Sequence, residues 1–364
     1  MAEVKSIDKI RKEYLSSSGV ITIPSQDKLK LPSQIIPINY LIGGGIPYGA
    51  ILEEFGWEST GKSLLAADFA TVCQKLGGQV LWNDAEFAFA DTSEFYQELG
   101  LDTEKVEVLE DDTIEKFSDW AMDMIMYYRS RLVNNEPILL VCDSIAALEC
   151  EEAQGSKQSG SKREIGNRAK AIYKFYRVRR KLLKQCGVCT IMINQVRDKV
   201  GANMFQDSTT TPGGAATAFY SSIRLALMKG KAIKDSDDLK VGNTVHCFVK
   251  KNKVAPPKDK IQTEVHFIPN VSGFTGFSKY SGMSSICDRE GLLHKKGGIY
   301  TIGDFELGKS KAHLDEAFSN SELRKFVINK LDINTISKTR NKINSISKNL
   351  YPVPNLKTKS SDEE

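Results

Sequence analysis

No stretch of this 364-residue sequence is apolar for long enough to cross a bilayer, and the first residues lack the apolar run of a secretory signal. No unit repeats along the chain. Charge of one sign is missing too: 50 Lys and Arg stand against 46 Asp and Glu, for a net charge of +4. Bulk charge therefore says little about nucleic acid, and the placement of basic residues matters more. Cysteines are only seven, an odd number scattered over a long chain, which excludes a disulfide scaffold and argues for a reducing, cytoplasmic compartment. Cys186-Gly187-Val188-Cys189 has zinc or redox spacing, but no second pair or nearby His completes a site. Cys189 runs straight into the apolar segment Thr190-Ile191-Met192-Ile193, so a buried structural pair is expected. The remaining composition, 41% hydrophobic and 26% charged, suits one large α/β domain with one or two smaller units.

One motif stands out. Gly56-Trp57-Glu58-Ser59-Thr60-Gly61-Lys62-Ser63 is a complete G-x-x-x-x-G-K-[ST] phosphate loop. Its glycines let backbone N–H groups converge on a phosphate, and the helix that follows aims its positive end at the same point. Lys62 supplies a charge for the β and γ phosphates, and the Ser63 hydroxyl suits Mg²⁺. Ile51 to Phe55 forms a strand ending at the loop, and Ser63 to Ala70 opens an apolar-faced helix.

Residues 1–32 form a leader, with Val4, Ile7, Ile10 and Tyr14 at helical spacing and a strand at Val20 to Ile23. So small a unit cannot bury its own face; it folds back on the core or docks on another subunit. From 33 to 270 strand and helix alternate: strand Gln79 to Asn83, a helix from about Ser93, strand Ile138 to Cys142, a long helix from about Asn167 to Lys184, then strand Thr190 to Ile193. Apolar strands separated by helices predict a mostly parallel sheet buried on both faces. Val245 to Val249 and Thr263 to Ile268 alternate more, as antiparallel additions would. Residues 271–332 form a small α/β C-terminal domain, and 333–364 a basic flexible tail.

Asp143 and Ser144 end a buried strand at the edge where α/β sheets bind ligands; both are expected against the nucleotide, Asp143 in the Mg²⁺ shell. Glu86 emerges after strand Gln79 to Asn83 and is the candidate base for orienting water, with Asp84 as competitor. Gln195 closes its strand at the same edge, where an amide can sense the γ-phosphate. It opens a polar segment, 195–214, holding Arg197, Lys199, Met204, Phe205, Gly213 and Gly214. Cations for a backbone beside an aromatic and a Met for bases are ingredients of single-strand binding. A second such loop, about 151–168, carries Lys157, Lys162, Arg163 and Arg168.

The order of these pieces, from about Gly43 to Phe318, resembles the RecA-type homologous recombinases of bacteria and their phages. Gly44-Gly45-Ile46-Pro47-Tyr48-Gly49, the phosphate loop, Asp84-Ala85-Glu86, Asp143-Ser144, Ile193-Asn194-Gln195-Val196-Arg197 and Thr209-Thr210-Thr211-Pro212-Gly213-Gly214 carry the likeness. The resemblance implies a RecA-like ATPase core, Glu86 as the water-activating residue and Phe95 against adenine. It further implies Gln195 as the switch opening the second DNA loop, and Lys251 and Lys253 reaching the γ-phosphate of a neighbouring subunit. The leader is then expected on the adjacent subunit. Trp57 in place of the usual Pro, the inserted Pro212 and the basic C-terminal stretch point to a phage or otherwise divergent member.

The function so implied is a DNA-dependent ATPase using ATP and Mg²⁺. It forms helical filaments on single-stranded DNA and catalyses pairing and strand exchange with double-stranded DNA, aided by a single-strand-binding protein and a loading mediator. A ring-forming RecA-fold helicase or DNA motor is the rival; such motors typically place an arginine, not Lys-x-Lys, across the interface. A regulatory paralogue without hydrolysis is the third possibility, which an intact Lys62, Ser63, Glu86 and Asp143 oppose.

Overall fold

The computed structural model describes residues 29–154, 162–198, 209–212, 215–256, 258–268 and 275–354. The expected leader, through residue 28, lies outside them, as do residues 355–364. Leu29 and Leu31 already belong to the core.

Strand β1 (Lys30–Leu31) pairs antiparallel with β2 (Ile46–Pro47), and helix α1 (Ile36–Ile42) lies between them, stopped by Gly43 at φ +82°. The large sheet starts with β3 (Ile51–Gly56), followed by α2 (Lys62–Lys75), β4 (Gln79–Asp84), α3 (Phe89–Glu98), β5 (Val106–Leu109), α4 (Ile114–Arg129) and β6 (Ile138–Asp143). A short helix α5 (Glu151–Gln154) and the long α6 (Lys162–Gln185) lead to β7 (Val188–Gln195). Two short strands, β8 (Arg197–Asp198) and β9 (Thr209–Thr210), pair antiparallel and tie the ends of the second loop together. Then come α7 (Ala215–Tyr220), β10 (Ile223–Lys234), β11 (Lys240–Asn252), β12 (Lys260–His266) and β13 (Gly276–Phe277).

Nine strands form one sheet in the order β13-β12-β11-β10-β3-β7-β6-β4-β5. From β10 to β5 every neighbouring pair is parallel; β11, β12 and β13 add antiparallel. The parallel part is buried on both faces because its strands are apolar at successive positions. Leu52, Trp82, Val141 and Ile191 join one core layer with α2, while Ile51, Leu81, Leu140 and Met192 join the other with α4 and α6.

Three boundaries differ from sequence expectation. The helix placed near Ser93 begins at Phe89, whose N–H is taken by Asp84 Oδ2 at 2.7 Å. The long helix begins at Lys162 rather than Asn167: Lys, Arg and Glu are all good helix formers, and Glu164 in the first turn suits the helix dipole where the two cations do not. The C-terminal stretch is the larger correction. Beyond α8 (Met283–Arg289), the small sheet β14 (Leu293–Lys296), β15 (Ile299–Ile302), β16 (Phe305–Gly308) and α9 (Ser321–Lys330), the chain does not become a free tail. Helix α10 (Ile336–Ser345) is capped by Thr335 and docks on the core through Thr339 Oγ1 to the Lys30 carbonyl and Arg340 Nη2 to the Lys75 carbonyl. Asn135 then clips Lys348 and Leu350 in place, and Tyr351 is buried with its ring 5.7 Å from that of Tyr48. Its few apolar anchors are scattered among Lys, Ser and Asn, which hides the fold from composition.

Candidate nucleotide site and DNA loops

Parallel register brings the predicted residues to one edge. Gly56 at the end of β3 lies opposite Gln195 of β7, and Asp84 of β4 opposite Asp143 of β6. All four stand at carboxyl ends of strands, where the loops of a parallel sheet leave room for a ligand.

The phosphate loop is shaped by two left-handed positions, Ser59 at φ +56° and Gly61 at φ +88°. A Cβ on Gly61 would meet the Phe277 ring at 2.9 Å, and one on Gly56 would meet the Leu227 carbonyl at 2.2 Å, so neither position admits a side chain without movement. Lys62 Nζ donates to the carbonyls of Trp57 at 2.9 Å and Gly56 at 3.3 Å, which places it inside the loop's curve. Burial pulls its pKa below the ordinary lysine value, while the carboxylates of Asp143 and Glu86 oppose that shift.

A cleft of about 560 Å³ opens over this loop, lined by Glu58 to Leu64, Glu86, Phe95, Tyr96, Asp143, Gln195 and Phe267. Asp143 is nearly buried there, and burial raises its pKa to about 7 against the opposing pull of the Ser63 hydroxyl. A buried carboxylate beside a hydroxyl presents hard oxygens of the kind Mg²⁺ prefers, and a cation would relieve the desolvation that holds the proton on Asp143. The donor set thus matches Mg²⁺ on Ser63 and Asp143. Phe95 packs against the core with its ring on the cleft wall, where a base could stack.

Glu86 is exposed at the cleft, its backbone N–H on the Asp143 carbonyl at 3.3 Å. Its Oε1 accepts from the Ser144 hydroxyl and from Gln195 Nε2, the latter at 3.2 Å. Ser144, expected against the nucleotide, is fully buried with its hydroxyl turned to Glu86 instead. The competitor Asp84 is consumed by the start of α3. Sequence reasoning missed Tyr96, buried beside Ser63 in a cluster with Trp82 and Phe89 whose ring centroids lie 5.2 to 5.7 Å apart. The seven-residue spacing of Phe89 and Tyr96 on one helix face could have revealed it.

Lys253 stands at the opposite end of the strands, and Lys251 is level, through Arg224, with Glu53 of β3. Lys251 Nζ donates to the carbonyls of Ala218 at 2.6 Å and Phe219 at 2.9 Å. The Lys253 N–H bonds the Ser222 carbonyl, and the Ser222 N–H bonds Ile51, the first residue of β3. The protomer's own phosphate loop leaves the far end of that strand, about 16 Å away at the usual strand rise.

The two segments expected to contact DNA are described only in part. Lys157, Lys199, Met204, Phe205, Gly213 and Gly214 lie outside the described residues, and Lys162 and Arg163 open α6 with their side chains outside that set. Arg197 is exposed and faces Thr210 across the β8–β9 ribbon. Arg168 departs from expectation: its Nη2 donates to the carbonyls of Ile145 and Ala146 at 2.8 and 2.5 Å, so it braces the turn after β6 rather than presenting a free cation.

A phosphate loop, a strand-end carboxylate and a water-facing glutamate at the carboxyl edge of a parallel sheet define a phosphate-loop ATPase. Comparison with known proteins carries this further. Residues 4–272 match the model of the RecA N-terminal domain. The chain is 34% identical over 286 residues to Protein RecA of Tropheryma whipplei, covering 77% of this chain and 60% of that one. It is 31% identical over 325 residues to Protein RecA of Mycobacteroides abscessus, covering 85% and 87%, and 29% identical over 338 residues to that of Clostridium acetobutylicum, covering 90% and 91%. The chain belongs to the RecA family, and its activity is that of a DNA-dependent ATPase of homologous recombination. Nothing in these comparisons favours a helicase. Among the described residues no helix is long and apolar enough to cross a membrane.

Proposed function

We propose that this chain assembles on single-stranded DNA as a helical filament, with ATP between protomers, and pairs that strand with homologous duplex. In this reading Lys62 meets the β and γ phosphates, the loop from Gly56 to Ser63 cradles them, and Phe95 stacks on adenine. Mg²⁺ on Ser63 and Asp143 would neutralise phosphate charge. Glu86 positions the attacking water, and Lys251 and Lys253 reach the neighbour's γ-phosphate in place of an arginine finger. DNA contacts fall to Lys157, Lys162 and Arg163 in the first loop. In the second they fall to Arg197, Lys199, Met204, Phe205, Gly213 and Gly214, with the leader docking on the adjacent protomer. A single-strand-binding protein and a loading mediator are the expected accessory partners. Residues 33–270 are the ATPase core, 1–32 the assembly segment and 271–332 the small C-terminal unit.

The observation that carries the mechanism is the bond from Gln195 Nε2 to Glu86 Oε1, 3.2 Å. It joins the residue that opens the second loop to the residue that addresses water, so loop and hydrolysis can exchange information. The test is ATP hydrolysis with and without single-stranded DNA, in wild type and Glu86→Gln. Stimulation by single strands that disappears in the variant supports the proposal; high turnover indifferent to DNA would point to a motor on another substrate.

A further inference from the structure

Asn194 precedes Gln195 at the end of β7 and is fully buried. Its carboxamide is fully employed. Nδ2 donates to Glu53 Oε1 at 3.1 Å and to the Pro212 carbonyl at 3.2 Å, while Oδ1 accepts the Gln195 N–H at 3.0 Å. The two acceptors belong to different bodies. Glu53 is a buried residue of the central strand β3, whereas Pro212 lies at the return of the second loop, just beyond β9.

Glu53 is itself anchored. Its Oε2 meets Arg224 Nε at 2.5 Å, and the Arg224 guanidinium lies 4.6 Å from the centroid of the Phe55 ring. Arg224 is the register partner of Lys251. A continuous polar chain therefore runs from the loop's return, through Asn194 and Glu53, to the strand pair that holds Lys251. The same amide also fixes the backbone of Gln195.

An amide group is planar, so its nitrogen and oxygen turn together. If the loop's return withdraws from Asn194, one buried N–H loses its partner, and buried donors without partners are strongly disfavoured. The group can relieve this only by rotating, which takes Oδ1 away from the Gln195 N–H. Loop position and the setting of Gln195 are thereby tied through one side chain.

We propose that Asn194 is a positioning residue that couples the second loop to Gln195 and, through Glu53 and Arg224, to the strand bearing Lys251. The inference rests on the function proposed above, because it presumes that this loop responds to DNA. It goes beyond the Gln195 switch by naming the group that connects the switch to the returning end of the loop.

Asn194→Asp is the informative substitution, since it keeps the shape and removes both donors. The full chain is assayed for ATP hydrolysis with and without single-stranded DNA. Wild type is expected to be stimulated, and Asn194→Asp to lose at least tenfold of that stimulation ratio while its DNA-independent rate stays within about threefold. Two acceptors facing one another could unfold the variant, so Asn194→Asp with Glu53→Gln is made in parallel. The amide introduced by Glu53→Gln donates to the new carboxylate, restoring the contact with β3 but not the one with Pro212. The double variant is expected to melt near wild type and to remain uncoupled. Wild-type stimulation in a folded Asn194→Asp or in the double variant overturns the role of Asn194 and leaves the recombinase reading intact. A wild type indifferent to DNA overturns both.

Discussion

Gln195 Nε2 lies 3.2 Å from Glu86 Oε1, and the buried Ser144 hydroxyl donates to that same oxygen. The carboxylate that faces the cleft is therefore aimed by two groups on neighbouring strand ends. Glu86→Gln is expected to lower kcat by about 10²- to 10⁴-fold with little change in nucleotide affinity, measured by steady-state hydrolysis and equilibrium binding. Ser144→Ala removes only an aiming contact, and about a tenfold loss in kcat is expected.

The nucleotide-free protein should weaken as the medium becomes less acidic. Asp143 holds its proton up to about pH 7 when folded, against 3.8 when free, because burial disfavours the charged form. Between those values the folded state binds more protons than the unfolded state, so stability declines from about pH 4 to about pH 7 and levels off above. Asp143→Asn removes that contribution, up to about 4 kcal/mol. It should raise Tm at pH 7.5 while abolishing Mg²⁺-dependent nucleotide binding, as calorimetry and binding across pH will show.

Along the strand direction Lys253 stands about 16 Å, and Lys251 about 10 Å, from their own phosphate loop. Their replacement by Ala should leave nucleotide binding to the isolated protomer unchanged. Assembly driven by ATP should be lost, with hydrolysis in the presence of DNA falling by about 10³-fold, as expected for an interfacial cation. Sedimentation and electron microscopy would show the loss of polymer; polymer formation at wild-type nucleotide concentration would refute the role.

Tyr351 is buried between Tyr48 and Gly187, where a Cβ added to the glycine would meet its ring at 2.6 Å. Tyr351→Ala should cost about 3 kcal/mol of stability by leaving a cavity, seen as a lower denaturant midpoint with an unchanged slope. A neutral effect would mean that this segment does not hold its place in solution.

Much of this arrangement is legible in the amino acids. Apolar strands such as Ile138 to Asp143 announce a buried parallel sheet, and a phosphate loop announces the edge at which chemistry happens. Glu86 and Gln195 follow because each comes directly after such a strand. What stays hidden depends on partners remote in sequence. Nothing local says that Arg168 will be absorbed by the carbonyls of Ile145 and Ala146, or that Ser144 will serve Glu86 rather than a ligand. The fold of 336–351 is hidden for a related reason: its few anchors, Thr339, Ile343 and Tyr351, fill sites built by distant segments.

The separation of Lys251 and Lys253 from the phosphate loop gives a stack of such protomers a direction. One terminus would offer a cleft awaiting cations, and the other cations awaiting a cleft. Repetition of a head-to-tail contact neither closes on itself nor makes its extremities alike, unless the rotation happens to form a ring. Arrival and departure of subunits would then proceed at unequal speeds at the two extremities, and a protomer carrying only one functional half would cap whichever extremity it joined.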